Sequence, residues 1–450
     1  MDKFASIFKA YDIRGEVGSE LNPESVKRIA KAYAEWLPIK GVVAVGHDMR
    51  PDSNELAEAF IEGLTDMGIN VWDIGLVTSD MIYFAIGRWD LAGGAVITAS
   101  HNPGKDNGIK LYRDHVTAIG LESGLDEIRD RFLSDFPFES SSTKGKIQQK
   151  SITAEWVEHC LSFIKDIKPY NIAIDTGNGM AGAILPSILP KLPLKVKEMY
   201  FNLDGTFPNH EANPQKPENL KDLIAVVRRD SLDFGIAFDG DGDRAAFVDD
   251  KGRQVLGTDL LSIVAKLYLD KYPNSKIVHE VRTSRATIEL IEEWGGEPVR
   301  TKAGRVNIGS LMRKIGAPLG GETTGHIFFK ENFDADSGLI AALVVIQAIS
   351  NSNKKLSDLV DAYRKYSMAP EINIKVDEDS NLIFDRLKKA FNAESQDMLD
   401  GLTVNGKDFW FNLRTSNTEP LMRLNAEASN HQQLDELINH VVQIVNKQKA

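Results

Sequence analysis

One cysteine, Cys160, in a chain of 450 residues leaves no partner for an internal disulfide and suits a reducing compartment. Long apolar runs are missing as well. The most apolar stretch, Gly338 to Ile349, is too short for a bilayer and reads as a buried helix. The first residues, Met1-Asp2-Lys3-Phe4, lack the apolar region of a secretory signal, so a cytoplasmic location is expected. Positive charge is in deficit. A net charge of −12 argues against non-specific binding to nucleic acid or to an anionic membrane, and leaves room only for a local basic pocket. The remaining composition, 42% hydrophobic and 26% charged with 35 glycines, describes a globular chain long enough for several domains.

The richest stretch runs from Thr98 to Lys110. An apolar run, Ala95-Val96-Ile97, reads as a buried strand, and Thr98-Ala99-Ser100-His101-Asn102-Pro103-Gly104 then breaks it. A serine at such a strand end displays its hydroxyl where α/β folds bind ligands. A lone loop serine is more often a turn cap. Three other nucleophile schemes fail: no G-x-S-x-G elbow surrounds Ser100, no Walker lysine follows it, and His101 is too close in sequence to serve as its base. A turn at Asn107-Gly108 is expected to bring Lys110 back toward Ser100.

Strand and helix patterns alternate around this stretch, which predicts an α/β layered architecture. Strands are expected near Gly41 to Val45, Asn70 to Ile74, Ile172 to Ile174, Phe234 to Phe238, Ile277 to His279 and Pro298 to Thr301. Helices are expected over Glu55 to Met67, Trp156 to Ile164, Leu260 to Leu269 and Ala286 to Trp294. Residues 134–152, rich in Ser, Lys and Gln, read as a linker. Past residue 367 the rhythm changes to strands near Ile372 to Val376, Asp408 to Asn412 and Met422 to Ala428. A final amphipathic helix there carries Leu434, Leu437, Ile438, Val441, Val442 and Val445 on one face.

Further stretches carry chemistry. Asp239-Gly240-Asp241-Gly242-Asp243-Arg244 follows an apolar strand, and three carboxylates separated by glycines let one tight loop wrap a divalent cation. An EF-hand would need glycine where Arg244 stands. Asp175-Thr176-Gly177-Asn178-Gly179 reads as a strand-to-helix turn. Asp204-Gly205-Thr206 would suit a haloacid dehalogenase only with an aspartate at position 202, which is Asn202. In Gly320-Gly321-Glu322-Thr323-Thr324-Gly325-His326, glycines leave Glu, Thr and His free to bond a polyhydroxylated ligand. Arg414-Thr415-Ser416-Asn417-Thr418-Glu419-Pro420, followed by Arg423, offers charged donors and hydroxyls suited to a phosphate dianion.

These stretches resemble, in order, the motifs of the α-D-phosphohexomutases. Ala10-Tyr11-Asp12-Ile13-Arg14-Gly15 is similar to their A-Y-D-I-R-G, and Thr98 to Pro103 to their phosphoserine loop T-[AG]-S-H-N-P. Asp204 to His210 resembles a further signature, Asp239 to Arg244 the metal loop D-G-D-G-D-R, Gly321 to His326 the sugar loop G-E-x-[ST]-G-H, and Arg414 to Pro420 the phosphate loop R-[AT]-S-N-T-E-P. The likeness spans residue 8 to about 428 and is nearest to the mannose/glucose branch. It implies three related α/β sandwich domains plus a smaller C-terminal α+β domain around a central cleft, over 1–143, 144–249, 250–366 and 367–450.

The implied activity is reversible phosphoryl transfer between O1 and O6 of a hexose phosphate, through phosphorylated Ser100 and a 1,6-bisphosphate that also serves as activator. The resemblance implies Mg²⁺ on Asp239, Asp241, Asp243 and the Ser100 phosphate. It makes Lys110, with a lowered pKa, the proton shuttle, and has Arg14 and Arg244 stabilise the phosphoryl oxygens. Tyr11, His101, Arg282, Arg305, Glu322, Thr324 and His326 would contact the sugar phosphate, and Arg414, Ser416, Asn417, Thr418 and Arg423 its distal phosphate. The expected partners are small-molecule sugar phosphates, with no nucleic acid or membrane, and the chain is expected as a monomer or small homo-oligomer. A hinge is expected near Ser367 to Pro370, letting the last domain close on substrate. The chain departs from the family's pattern at His47, usually Arg, at Arg282, often Lys, and at Arg305, commonly His. Arg305 cannot exchange protons near neutral pH, which leaves it phosphate binding. Phosphoglucosamine mutases, with R-P-S-G-T-E-P and G-E-Q-S-G-H, are the alternative, and Asn417, Thr323 and Thr324 stand against it. A non-catalytic sugar-phosphate binder would be expected to have lost Ser100 or the aspartates.

Overall fold

The structure, a computed structural model, describes residues 4–391, 393–415 and 421–446. Among these residues four sheets follow one another along the chain. The first three share one strand order. In the first, Asp106–Arg113 runs antiparallel to Gly93–Ile97, which lies parallel to Val42–His47, and that strand parallel to Asn70–Leu76. The second repeats this with Ala245–Asp249, Phe234–Phe238, Tyr170–Asp175 and Leu194–Met199. The third does so with Ile327–Phe329, Leu319–Gly321, Lys276–Glu280 and Glu297–Thr301.

The repeated order has a functional consequence. In each sheet the antiparallel hairpin leaves from the C-terminal end of a parallel strand, the end at which open α/β sheets bind ligands. Those hairpin connections hold Ser100, the three aspartates, and Glu322 with His326. The central strands are buried on both faces, which is why Phe234–Phe238 reads as a continuous apolar run rather than an alternating one.

Helices cover the sheets. The helix Gly338–Ser352 starts at Ser337, whose hydroxyl accepts from the Ile340 amide, and its residues are buried through Ser350. One apolar cluster around it draws Tyr83, Phe234, Leu261 and Ile346 from all three units, so they share a core. No helix among the described residues is long and apolar enough to cross a membrane.

The fourth sheet is antiparallel, ordered Ser367–Met368, Leu421–Ala428, Phe409–Thr415, Leu402–Asn405 and Ser395–Asp397, with Ile372–Lys375 also against Leu421–Ala428. Helices Ser380–Ala390 and His431–Val445 pack Leu387, Leu437 and Val441 onto Phe411 and Leu424. Two sets of contacts tie the sheet to the third unit. The Arg285 guanidinium donates to the carbonyls of Gly406, Lys407 and Phe409, while Glu427 accepts from the Ser284 hydroxyl and the Arg285 amide. On the cleft side Asp400 accepts from the Ala303 amide at 3.0 Å, and Asp397 pairs with Arg300.

Three local expectations are corrected. Ile147–Gln149, expected in a linker, adds a parallel edge strand beside Asn70–Leu76; all three residues are exposed, so no apolar pattern marks them. Asn107-Gly108 is no turn but lies inside a strand, and Lys110 reaches the site because it pairs with Val96 across the hairpin. Arg414 belongs to a strand rather than a loop and stands directly opposite Arg423.

Candidate active site

Ser100 sits in the left-handed region, φ 52°, with 2% of its surface exposed. For a non-glycine residue that conformation costs on the order of 1 kcal/mol and persists only where surroundings over-determine it. Here they do. The Thr98 hydroxyl accepts from the Ser100 amide at 2.9 Å, and Arg50 Nη2 donates to the Ser100 carbonyl at 2.9 Å. The remaining Arg50 donors go to the carbonyls of Asn102, Pro103 and Asp106 and to Asp48. Phe207 lies under the same guanidinium at 5.1 Å, and Gly205 presses against the Arg50 backbone, where a Cβ would come within 2.5 Å. The stretch Asp204 to His210 thus buttresses the serine loop.

The aspartate loop meets the serine from the second sheet. Ser100 Oγ donates to Asp239 Oδ2 at 3.0 Å, receives Arg244 Nη2 at 3.1 Å, and lies 3.2 Å from His101 Nδ1. Gly240 permits this approach, since a Cβ there would stand 2.4 Å from the Ser100 carbonyl oxygen. Burial pushes the Asp239 carboxyl up to about 7, with Asp243 and Asp241 adding to it and Arg244 opposing. Burial and then Arg244 push the His101 imidazole well down.

Asp239, Asp241 and Asp243 are buried, and one oxygen of each lies within 4.8 Å of the others. Asp241 Oδ1 and Asp243 Oδ1 have no hydrogen-bond partner among the described residues. Buried oxygens are rarely left so, and three hard carboxylates fit an oxygen-loving divalent cation. Lys110 Nζ lies 2.5 Å from both Asp241 Oδ2 and Asp243 Oδ2 and 3.1 Å from Ser79 Oγ. A lowered amine pKa was expected there. Burial does push it down, but the two carboxylates outweigh burial and hold Lys110 above its ordinary value.

The third hairpin joins at the aspartate loop. His326 Nδ1 lies 2.6 Å from Asp336 Oδ2 and 3.9 Å from Asp243 Oδ1. Glu322 accepts from the Gly304 amide and the Thr324 hydroxyl, each at 2.8 Å, and burial pushes its carboxyl up. Tyr11 donates to the Ala303 carbonyl at 2.9 Å, binding the first unit to the third beside Glu322. Arg305 Nη1 donates to the hydroxyls of Tyr83, at 2.9 Å, and Tyr112, and its Nη2 lies 3.5 Å from the Tyr11 carbonyl oxygen. Arg14 lies alongside the serine loop, fixed by Asp12 Oδ2, Asn102 Oδ1 and the Ala99 carbonyl.

Arg414 and Arg423 are gathered by Glu371, near Arg282, which is bidentate on the buried Glu280. Ser416, Asn417 and Thr418 lie outside the described residues. Ser100, His101, Lys110, the three aspartates, Arg244 and His326 therefore form one cluster, and Arg282, Arg414 and Arg423 a second. Arg50, Ser79, Asp336 and Glu371 are functional candidates that sequence reasoning misses. Only Arg50 carried a signal: Asp48-Met49-Arg50 places opposite charges just past a strand end.

The same four-part organisation appears in known proteins. Residues 5–136, 154–252 and 257–366 match the alpha/beta/alpha domains I, II and III of phosphoglucomutase/phosphomannomutase, and residues 371–444 match its C-terminal domain. Phosphohexose mutases of Xanthomonas campestris pv. campestris are 40% identical over 425 residues, covering 93% of this chain and 94% of that one. The phosphomannomutase/phosphoglucomutase of Pseudomonas aeruginosa is 36% identical over 439 residues, covering 96% and 94%. A crystal structure of a phosphoglucomutase/phosphomannomutase family protein from Burkholderia thailandensis superposes with a TM-score of 0.91 at 30% identity, over 99% of this chain and 98% of that one. The chain belongs to the phosphoglucomutase/phosphomannomutase family.

Proposed function

We propose that the protein moves a phosphoryl group reversibly between O1 and O6 of mannose and glucose phosphates, through phosphorylated Ser100 and a hexose 1,6-bisphosphate. The observation that carries this is the Ser100 hydroxyl, held in a strained conformation between Asp239 and Arg244 beside carboxylate oxygens that lack a partner among the described residues. The names of the relatives at 36–40% identity agree with it.

In the forward half, the bond from phosphorus to Ser100 Oγ breaks as a bond from phosphorus to the sugar oxygen forms. The sugar hydroxyl loses a proton, and Ser100 Oγ ends with one. Arg244 and Arg14 would hold the phosphoryl oxygens. Lys110, kept as an ammonium, suits the donor side of the proton balance. Burial pushes the His326 imidazole down, but Asp243 and Asp336 outweigh it and make the ring more basic than usual, which suits its neutral form to take the proton the sugar hydroxyl gives up. Mg²⁺ bound by Asp239, Asp241 and Asp243 would neutralise charge on the transferring group. Glu322 and Thr324 would orient the ring, with Arg414 and Arg423 on the distal phosphate and Tyr11, His101, Arg282 and Arg305 lining the cleft. The reverse half returns the other phosphate to Ser100 after the bisphosphate has turned around.

A coupled assay with mannose 1-phosphate, glucose 1-phosphate and glucosamine 1-phosphate, primed with bisphosphate, tests the reading. Turnover of both the mannose and glucose substrates, within about 10³-fold in kcat/KM or roughly 4 kcal/mol, is expected because the epimers differ only at O2. Preference for glucosamine 1-phosphate would assign the site to the amino sugar instead. No turnover of any of the three would contradict the mutase reading.

A further inference from the structure

Glu280 and Glu371 meet the arginines of the second cluster in opposite ways. Glu280, wholly buried, takes Arg282 in a closed fork, 2.6 Å from Nε and 2.7 Å from Nη2. That is the geometry of a permanent positioning pair. Glu371, just past Pro370 and with 27% of its side chain exposed, spreads one carboxylate over several donors. Its Oε2 lies 3.0 Å from Arg414 Nη2, 3.1 Å from Asn425 Nδ2 and 3.7 Å from Arg282 Nη1, and its Oε1 lies 3.4 Å from Arg423 Nη1. Neither Arg414 nor Arg423 forms a fork with it. The Nε atoms of both arginines are buried without a hydrogen-bond partner among the described residues.

We propose that Glu371 is an internal stand-in for substrate phosphate: its carboxylate occupies Arg414 and Arg423 between visits and gives way when a phosphate arrives. This rests on the phosphate-binding role proposed above for the two arginines. Chemically, a carboxylate and a phosphate are interchangeable partners for a guanidinium, and the phosphate has more oxygens to fill the unused Nε donors. Charge makes them competitors. Three arginines against two glutamates leave one net positive charge; with Glu371 moved aside there are two, which match a phosphate dianion. Between visits Glu371 also relieves the repulsion of two guanidiniums facing each other across neighbouring strands.

A pocket built this way binds phosphate less tightly than its arginines alone would, and lets go sooner. The proposed reaction needs that property, because the bisphosphate must release this pocket in order to turn around. Glu371 is thus a positioning residue that tunes phosphate exchange, rather than a group at the reacting atoms.

Inorganic phosphate as a competitive inhibitor of the Mg²⁺-loaded enzyme provides the test. Glu371→Gln keeps the shape and removes the charge, and Glu371→Ala removes both. Both variants should lower the phosphate inhibition constant and the substrate KM by about three- to tenfold, with kcat falling as release slows. Glu371→Asp, which keeps the charge, should stay nearer the wild type than either. Phosphate inhibition that weakens in both variants would make Glu371 a fixed support for the arginines, and unchanged inhibition would remove it from the pocket; either result overturns the proposal. Arg414→Ala separates the underlying reading: if that variant leaves phosphate inhibition unchanged, the phosphate role of the arginines fails, whatever Glu371 does.

Discussion

Arg50 uses all five of its N–H donors on Asp48 and on four carbonyls of the loop from Ser100 to Asp106. Lysine has three donors, so Arg50→Lys leaves at least two of these acceptors short, at about 1–3 kcal/mol for each that stays buried and unpaired. The variant should melt several degrees lower and phosphorylate Ser100 more slowly, with sugar-phosphate KM little changed. Wild-type melting and phosphorylation would show that the serine holds its left-handed conformation unaided. Asp241→Asn probes the neighbouring loop. It removes one charge from the cation cluster and one partner of Lys110, so Mg²⁺ activation should shift to higher concentration and turnover fall by about 10²-fold. Wild-type turnover at limiting Mg²⁺ would make the aspartates structural. Sequence revealed these aspartates, Ser100 and His326 because glycines and a proline set them in loops. Glu371 looks like an ordinary surface charge in the sequence, and Arg50 shows only its pairing with Asp48 past a strand end. What singles them out is contact with partners 50 and 43 residues away, Arg50 with Ser100 and Glu371 with Arg414.

Among the elements, the strands that line the site were legible because burial on both faces writes a continuous apolar run, as in Phe234–Phe238. The edge strand Ile147–Gln149 was not, since nothing in its exposed residues separates it from a loop. How the units interlock was also hidden, and Asp80 shows why. It lies in the first turn of the helix Ser79–Trp89 and accepts from Ser337 Oγ at 2.5 Å, at the start of Gly338–Ser352, and from Thr78. Burial pushes the Asp80 carboxyl up to about 8, against those hydrogen bonds. An unfolded aspartate titrates near 3.9. Between about pH 4 and 8 the folded protein therefore retains a proton that the unfolded chain has lost, and stability falls as pH rises through that window. Asp80→Asn mimics the protonated form and should flatten this slope, raising the melting temperature of the Mg²⁺-loaded protein more at pH 8 than at pH 5. An equal shift at both values would mean that Asp80 is ionised in the fold.

For the whole molecule, the serine cluster draws on the first three units and the arginine cluster on the third and fourth, and one sugar bisphosphate must serve both. The fourth sheet is fastened to the third unit by Arg285 and Glu427 near the crossing segment Ser367-Met368-Ala369-Pro370, and by Arg300–Asp397 and Ala303–Asp400 contacts that opening would have to part. Closure about that segment would exclude water during transfer, and opening would give the intermediate room to turn. Arg414→Ala should then raise KM by about tenfold or more and release more bisphosphate per turnover, while Ser100 still accepts phosphate from the activator. Normal binding and release would deny the fourth unit its role as a phosphate-gated lid. All of this depends on Ser100 as the carrier of phosphate, and mapping the phosphorylated residue examines that claim most directly. The Mg²⁺-loaded protein is incubated with glucose 1,6-bisphosphate, digested, and its phosphopeptides are sequenced by mass spectrometry beside the Ser100→Ala variant. Phosphate should appear on Ser100 alone and be lost when excess glucose 6-phosphate is added, and the variant should be inactive. Phosphate on another residue, or a fully active Ser100→Ala, would contradict it.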